Sequence, residues 1–152
     1  VFLLGAYLLF LLIVGGGACG VETADFLAVR GKDVVVVEML DKVCDDMLPD
    51  AKYFLMERLE KAEVPILAST EVESIHGDRV VLCRTDPQTG TSWRTAITDV
   101  DTVILAAGAK PDQALAEELE AADREVLTVG DCVEPGFAID AIYQGSEVAR
   151  RI

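Results

Sequence analysis

The sequence predicts an α/β protein: a parallel sheet with helices on both faces, accompanied by a small antiparallel β-meander. Three observations predict it. Continuous apolar or β-branched runs end in glycine or an acid, as strands covered on both faces do. Stretches of helical spacing separate these runs, giving a β-α-β-α-β order that short right-handed connections fold into a parallel sheet. A later block instead alternates apolar and polar residues between turn signals, the pattern of antiparallel strands.

Leu8 to Val14 reads as a buried strand that stops at Gly15-Gly16-Gly17. From Ala18 to Arg30, Val21, Ala24, Leu27 and Ala28 recur at helical spacing, and Gly31 ends the run. Asp33 to Glu38 (DVVVVE) is the second strand. Ala51 to Ala62 places Phe54, Leu55, Leu59 and Ala62 along one side of a second helix. Val64 to Ala68 follows as the third strand. Glu71 to Ile75, Arg79 to Arg84 and Trp93 to Ile97 then form the meander, turning at His76-Gly77-Asp78 and at Asp86 to Gly90. Thr102 to Ala107 returns to a buried strand, broken by Gly108-Ala109-Lys110-Pro111-Asp112. A polar helix is expected over Gln113 to Ala122 and a further strand over Val126 to Val129. An amphipathic helix closes the chain from about Ala138 to Arg150, with Ile139, Ile142 and Val148 as expected contacts.

Composition narrows the function. The 152 residues suit one domain with a proper core. With 27 acidic against 13 basic residues the net charge is -14, and no run of Lys or Arg tracks a phosphate backbone, so nucleic acid is not an expected partner. The apolar opening VFLLGAYLLFLLIV is shorter than the roughly 20 residues a membrane span needs and lacks the basic flank of a signal peptide. A hydrophobic connector over residues 1–11, leading into a buried strand, is the favoured account, with an interfacial or damaged segment as the alternative, and no membrane is expected. Cys19, Cys44, Cys83 and Cys132 have neither redox-pair nor zinc spacing; thiols in a cytoplasmic protein are favoured over a structural disulfide.

The sharpest chemical signal is Gly15-Gly16-Gly17-Ala18-Cys19-Gly20, a G-x-G-x-x-G placed between a buried strand and a helix. The first glycine of such a Rossmann-like turn allows the tight bend. The second lets the backbone approach a pyrophosphate, and the third lets the helix pack on the strand. Free N–H groups and the positive end of the helix dipole then face the phosphates. Glu38, followed by Met39, ends the next strand where an acid accepts hydrogen bonds from an adenosine ribose. Its charge opposes a 2′-phosphate, and the nearby base is Lys42 with no Arg, which favours NAD(H) over NADP(H). A plain strand-to-helix turn and a solvated strand-end acid are the plainer readings of the same residues, and such a loop can also serve FAD.

The segments VGGGACGVETADFLAVRGKDVVVVEM, TVILAAGAKPD and VLTVGDC together resemble the flavoprotein pyridine nucleotide oxidoreductases. The likeness runs from about Leu12 to Ile152 and is nearest to NADH:flavin oxidoreductases of the old yellow enzyme type, the group of 2,4-dienoyl-CoA and enoate reductases. In that family an NAD-binding domain is inserted into an FAD-binding domain, after an FMN-binding barrel with an iron–sulfur cluster. The resemblance implies an NAD-binding domain over 12–108 with its meander at about 70–98, and a return segment of an FAD-binding domain over 109–152. It implies that Gly15, Gly17 and Gly20 face the NAD pyrophosphate and Glu38 its ribose. Ala106-Ala107-Gly108 corresponds to the crossing back toward the FAD domain, and Asp131 after Gly130 to the acid that binds the ribityl chain of FAD. The chain departs from the family before the first strand, where Ala6 to Leu12 is apolar rather than polar or basic. It also lacks the FMN barrel, the cluster cysteines and the first FAD-binding glycine loop.

The remaining residues carry blander readings. His76 is a solvated turn residue. Cys19 is a small filler facing the sheet, with a helix-activated thiol as the alternative. Trp93 and Tyr143 are core or interface anchors, and Glu117, Glu118 and Glu120 are an exposed helix face. The expectation is therefore an electron-input module that binds NADH and passes hydride to FAD. It would work with FAD- and FMN-binding regions lying outside this chain, which opens on Val and reads as an excised piece, inactive alone. A stand-alone dinucleotide-binding or sensing module without turnover is the alternative.

Overall fold

The computed structural model describes residues 9–152, so the expected connector over residues 1–11 and the start of the first strand lie largely outside the described residues. Two compact units divide at Ala107 and Gly108. In the first, strands β1 (Phe10–Val14), β2 (Asp33–Val37), β3 (Ile66–Leu67) and β7 (Thr102–Leu105) form a parallel sheet in the order β3-β2-β1-β7. Helices α1 (Ala18–Ala28) and α2 (Pro49–Lys61) connect the early strands. Strands β4 (Thr70–His76), β5 (Arg79–Thr85) and β6 (Ser92–Ile97) form the antiparallel meander in that order.

Period-two alternation sorts the strand residues onto two cores. Leu11, Ile13, Val34 and Val36 pack with Val21 and Ala24 of α1 and Leu55 and Leu59 of α2. Leu12, Val35 and Val37 point the other way, against Val80 and Leu82 of β5 and against Val100. The α/β class and the Rossmann-like parallel sheet are those the sequence predicts. Its layering differs in one respect: both early helices share one face, and the meander covers the other where a helix was expected. The physical reason is that β5 presents its own alternate apolar residues, which meet the need for cover. The guanidinium of Arg58 on α2 binds the Asp25 carboxylate on α1 through two 3.0 Å hydrogen bonds, tying the two helices together.

Other expectations need correction. The third strand shrinks to Ile66–Leu67, because Pro65 has no N–H to give and Ser69 turns away at φ 51°. Phe54 is exposed; α2 buries only Leu55 and Leu59. Trp93 is exposed too, with Arg84 lying 5.8 Å above its ring, so it anchors no core.

The second unit holds α3 (Ala114–Ala121), a single 3-10 turn (Gly130–Cys132) and α4 (Ala138–Ala149). Gln144 Oε1 accepts the Gly130 N–H at 2.6 Å, and Asp140 caps α4 by accepting the Phe137 N–H at 2.9 Å. No strand forms over Val126 to Val129: among the described residues no ladder partner lies beside it, and an extended segment alone gains no hydrogen bonds. Ile139, Ile142 and Tyr143, expected as contacts or anchors, are each 66% exposed, because the unit offers them nothing apolar to cover. Among the described residues no helix is long and apolar enough to cross a membrane.

Candidate functional site

The chain runs outward from β1 to β2 and β3, then returns to pair β7 with the opposite side of β1. That reversal makes the carboxyl end of β1 a topological switch point, where open parallel sheets leave a crevice between diverging connections. Gly15 to Gly20 lie at this end. Gly15 donates its N–H to the Val37 carbonyl at 2.8 Å and has φ +115°, a conformation side chains rarely adopt. A Cβ there would stand 2.2 Å from the Ala106 carbonyl oxygen, so the chain just beyond β7 approaches too closely for any other residue. A Cβ on Gly20 would stand 2.0 Å from the Gly15 carbonyl oxygen; this is the close helix–strand packing that the third glycine was expected to allow.

Gly17 differs from both. Its φ is ordinary at -69°, and the first atom a Cβ would meet is Asp46 Oδ2 at 3.3 Å, the tip of a side chain rather than backbone. Helix α1 begins at the next residue with no acid in its own first turn. The N–H groups of Gly17, Cys19 and Gly20 have no acceptor among the described residues, while the Ala18 N–H donates to Asp46. These orphan donors, at the positive end of the helix dipole, form a backbone cradle suited to an anion.

Glu38 closes the cradle on the β2 side. It is 8% exposed, accepts the Gly16 N–H at 2.5 Å with Oε2 and the Leu40 N–H at 2.7 Å with Oε1. Two charge-assisted hydrogen bonds hold the carboxylate against the glycine loop, and each oxygen retains a lone pair for a further donor such as a sugar hydroxyl. The sequence placed Glu38 beside the glycines but did not foresee that it braces the loop itself. Met39 follows, exposed, on the solvent side.

The loop from Glu38 to Leu48 lies over the glycines. Cys44 donates its N–H to the Gly16 carbonyl at 2.8 Å, and Val43 Cγ1 occupies the space a Gly16 Cβ would need. Burial raises the Cys44 thiol above its ordinary value, with the Asp46 carboxylate adding to the rise. Asp46 is the site residue that sequence reading missed; the only hint was its place in an acid-rich stretch, Asp45-Asp46, ahead of Pro49. Cys19 is exposed on the outer side of α1 rather than packed on the sheet, so the filler reading is corrected.

The structure thus brings together Gly15, Gly16, Gly17, Ala18, Gly20 and Glu38. Ala107 ends the first unit, exposed, one residue beyond Ala106 whose carbonyl abuts Gly15. Gly108 and Asp131 belong to the second unit. Gly108 has φ +85° with open space around it, and the exposed Asp131 accepts the Gly136 N–H at 3.3 Å.

Comparison with known proteins gives a consistent picture. The family profile described as pyridine nucleotide-disulphide oxidoreductase matches residues 8–145. The chain is 30% identical over 140 residues to a bilirubin reductase of Mediterraneibacter gnavus (strain CC55_001C), covering 92% of this chain and 21% of that protein. It is 31% identical over 141 residues to an NADH oxidase of Thermoanaerobacter brockii, covering 92% and 21%. The histamine dehydrogenase structure from Rhizobium sp. 4-9 shares the fold with a TM-score of 0.78 at 23% identity, over 94% of this chain and 23% of that one. A 2-naphthoyl-CoA reductase complex does so at 0.74 and 24% identity, over 94% and 21%. The chain spans about a fifth of the length of these relatives.

Proposed function

Since the chain belongs to the pyridine nucleotide-disulphide oxidoreductase family, whose cofactors are NAD(H) and FAD, we propose that it is the NADH-binding part of a larger flavin-dependent oxidoreductase. The observation that carries this reading is the start of α1 at the β1 switch point, where the N–H groups of Gly17, Cys19 and Gly20 have no acceptor among the described residues. Residues present there fit a dinucleotide. Gly17, Cys19 and Gly20 have N–H groups to give to a diphosphate, and Glu38 has acceptor capacity left for ribose hydroxyls.

A bound nicotinamide would supply hydride chemistry, for a flavin that the parent protein would hold. This chain holds and orients: the glycines set the depth of the diphosphate, and Glu38 fixes the sugar at the edge of β2. No side chain in this reading acts as acid, base or nucleophile, as befits a protein whose cofactors perform the redox chemistry. The segment 109–152, with Asp131, is assigned to the FAD-binding region, and Ala107 and Gly108 to the crossing that leads into it. The parent is assigned to the old yellow enzyme type on the resemblance of VGGGACG, TVILAAGAKPD and VLTVGDC. The four free thiols favour a cytoplasmic setting, and the 152 residues alone are expected to show no turnover.

Glu38 opposes a 2′-phosphate, the loop that follows it carries no Arg, and Lys52 on α2 is already engaged with the Val43 carbonyl and Asp45. NADH is therefore the expected form. Titrating the chain with NADH, NADPH and FAD, followed by fluorescence, tests the assignment. NADH should bind at least tenfold more tightly than NADPH, a difference of about 1.4 kcal/mol. FAD binding more tightly than NADH would overturn it.

A further inference from the structure

The helix end assigned to the diphosphate already holds an anion belonging to the protein. Both carboxylate oxygens of Asp46 lie 3.0 Å from the Ala18 nitrogen, the first residue of α1. The same carboxylate fills the space above Gly17, with Oδ2 3.3 Å from where a Cβ would be. It comes from 28 residues away in sequence, delivered by a loop pinned at several points. The Cys44 N–H donates to Gly16, and Lys52 Nζ holds the Val43 carbonyl at 2.5 Å and Asp45 at 3.4 Å.

A carboxylate and a diphosphate want the same environment, namely N–H donors at the positive end of a helix dipole. Two such anions cannot share the Ala18 N–H, because like charges within a few ångström repel even near a protein surface. The two acids of the site also differ in their freedom to leave. Glu38 is buried with two donors and stays; Asp46 is exposed and can swing into water without opening the core.

We propose that Asp46 is a built-in competitor for the diphosphate: it caps α1 in the free protein and must be displaced when a dinucleotide binds. The proposal rests on the dinucleotide reading above. It predicts that Asp46 weakens every ligand with a diphosphate and leaves adenosine alone, since the adenosine end lies against β2 and Glu38. The charge and the occupancy of the site contribute separately, so Asp46→Asn should relieve part of the competition and Asp46→Ala more of it.

The test is calorimetric titration of the full chain, of Asp46→Asn, of Asp46→Ala and of Asp41→Asn, each with NADH, ADP and adenosine. Asp41→Asn removes the same charge from the same loop without touching α1. NADH and ADP should bind about tenfold more tightly to Asp46→Ala and by a smaller factor to Asp46→Asn, in line with the strength of a helix-capping acceptor. Adenosine should be unchanged throughout, and Asp41→Asn should shift ADP by less than twofold. Measurable NADH binding by the wild type with no tightening in either Asp46 variant would overturn the competition and leave the site reading standing. An equal gain for adenosine, or for Asp41→Asn, would also overturn it. A wild type and variants that all fail to bind NADH would remove the site reading itself, and the proposal with it.

Discussion

Gly20→Ala should destabilise the protein, although alanine is the better helix former. In an exposed helix the exchange would gain about 1 kcal/mol from reduced chain entropy. At position 20 the new methyl would lie 2.0 Å from the Gly15 carbonyl oxygen, 3.0 Å from its carbon and 3.3 Å from Ala106 Cβ. The first two are backbone atoms of the glycine loop, so no rotamer change relieves them. Restoring ordinary contact at about 3.4 Å needs α1 to withdraw by about 1.4 Å, which loosens Val21 and Ala24 from the sheet. Overpacking of this kind costs about 1–3 kcal/mol, and the absence of a flexible neighbour puts it at the upper end. The expected net loss is about 2 kcal/mol. Gly145→Ala on α4 is the matched control: nothing lies within 4 Å of its Cβ, so there the exchange should be neutral or stabilising by up to about 1 kcal/mol. Urea unfolding followed by circular dichroism measures both. Equal stability of Gly20→Ala and wild type would refute the claim that α1 is packed to glycine distance on β1.

Glu38→Gln should cost about 1–3 kcal/mol in the same assay, because Gly16 and Leu40 donate to different carboxylate oxygens and the amide puts an NH2 against one of them; an unchanged midpoint would mean that the carboxylate does not brace the loop. Cys19 should react with a thiol reagent in the native protein while Cys44 reacts only on unfolding, the former being exposed and the latter buried. Burial raises the folded Cys44 thiol, so its contribution to stability is present below the ordinary value of 9.0 and is lost as pH rises from there through the folded value. Cys44→Ala should therefore flatten the alkaline decline in stability, and an unchanged decline would contradict this. Asp86 accepts hydrogen bonds first from the Gln88 N–H, then from Thr89, which hold its carboxyl below the ordinary 3.8. The hairpin turn should keep this support above 3.8 and lose it as pH falls through the folded value, and carboxyl titration by NMR at 3.8 or above would refute it.

Local signals made most of the first unit legible. Gly15, the β-branched run of β2 and the helical spacing of Val21 and Ala24 each announce their own element, and parallel pairing follows from their order. The cradle was legible for the same reason, since three glycines and one strand-end acid lie within 24 residues of sequence. What failed depended on partners distant in sequence. Val126 to Val129 has strand-like residues but no ladder beside it, so propensity alone did not make a strand. Ile139 and Ile142 form an apolar stripe with nothing of this unit to cover them. Asp46 was invisible because a cap delivered from 28 residues away leaves no trace at the helix it caps.

The most direct test of the account is an NMR titration of the isotope-labelled chain with NADH, following backbone amides. Binding in the cradle predicts that the largest shifts fall on Gly17, Ala18, Cys19 and Gly20, with a second group at Leu40 beside Glu38. Shifts centred on Gly130 and Asp131, or saturation with none at the start of α1, would contradict it.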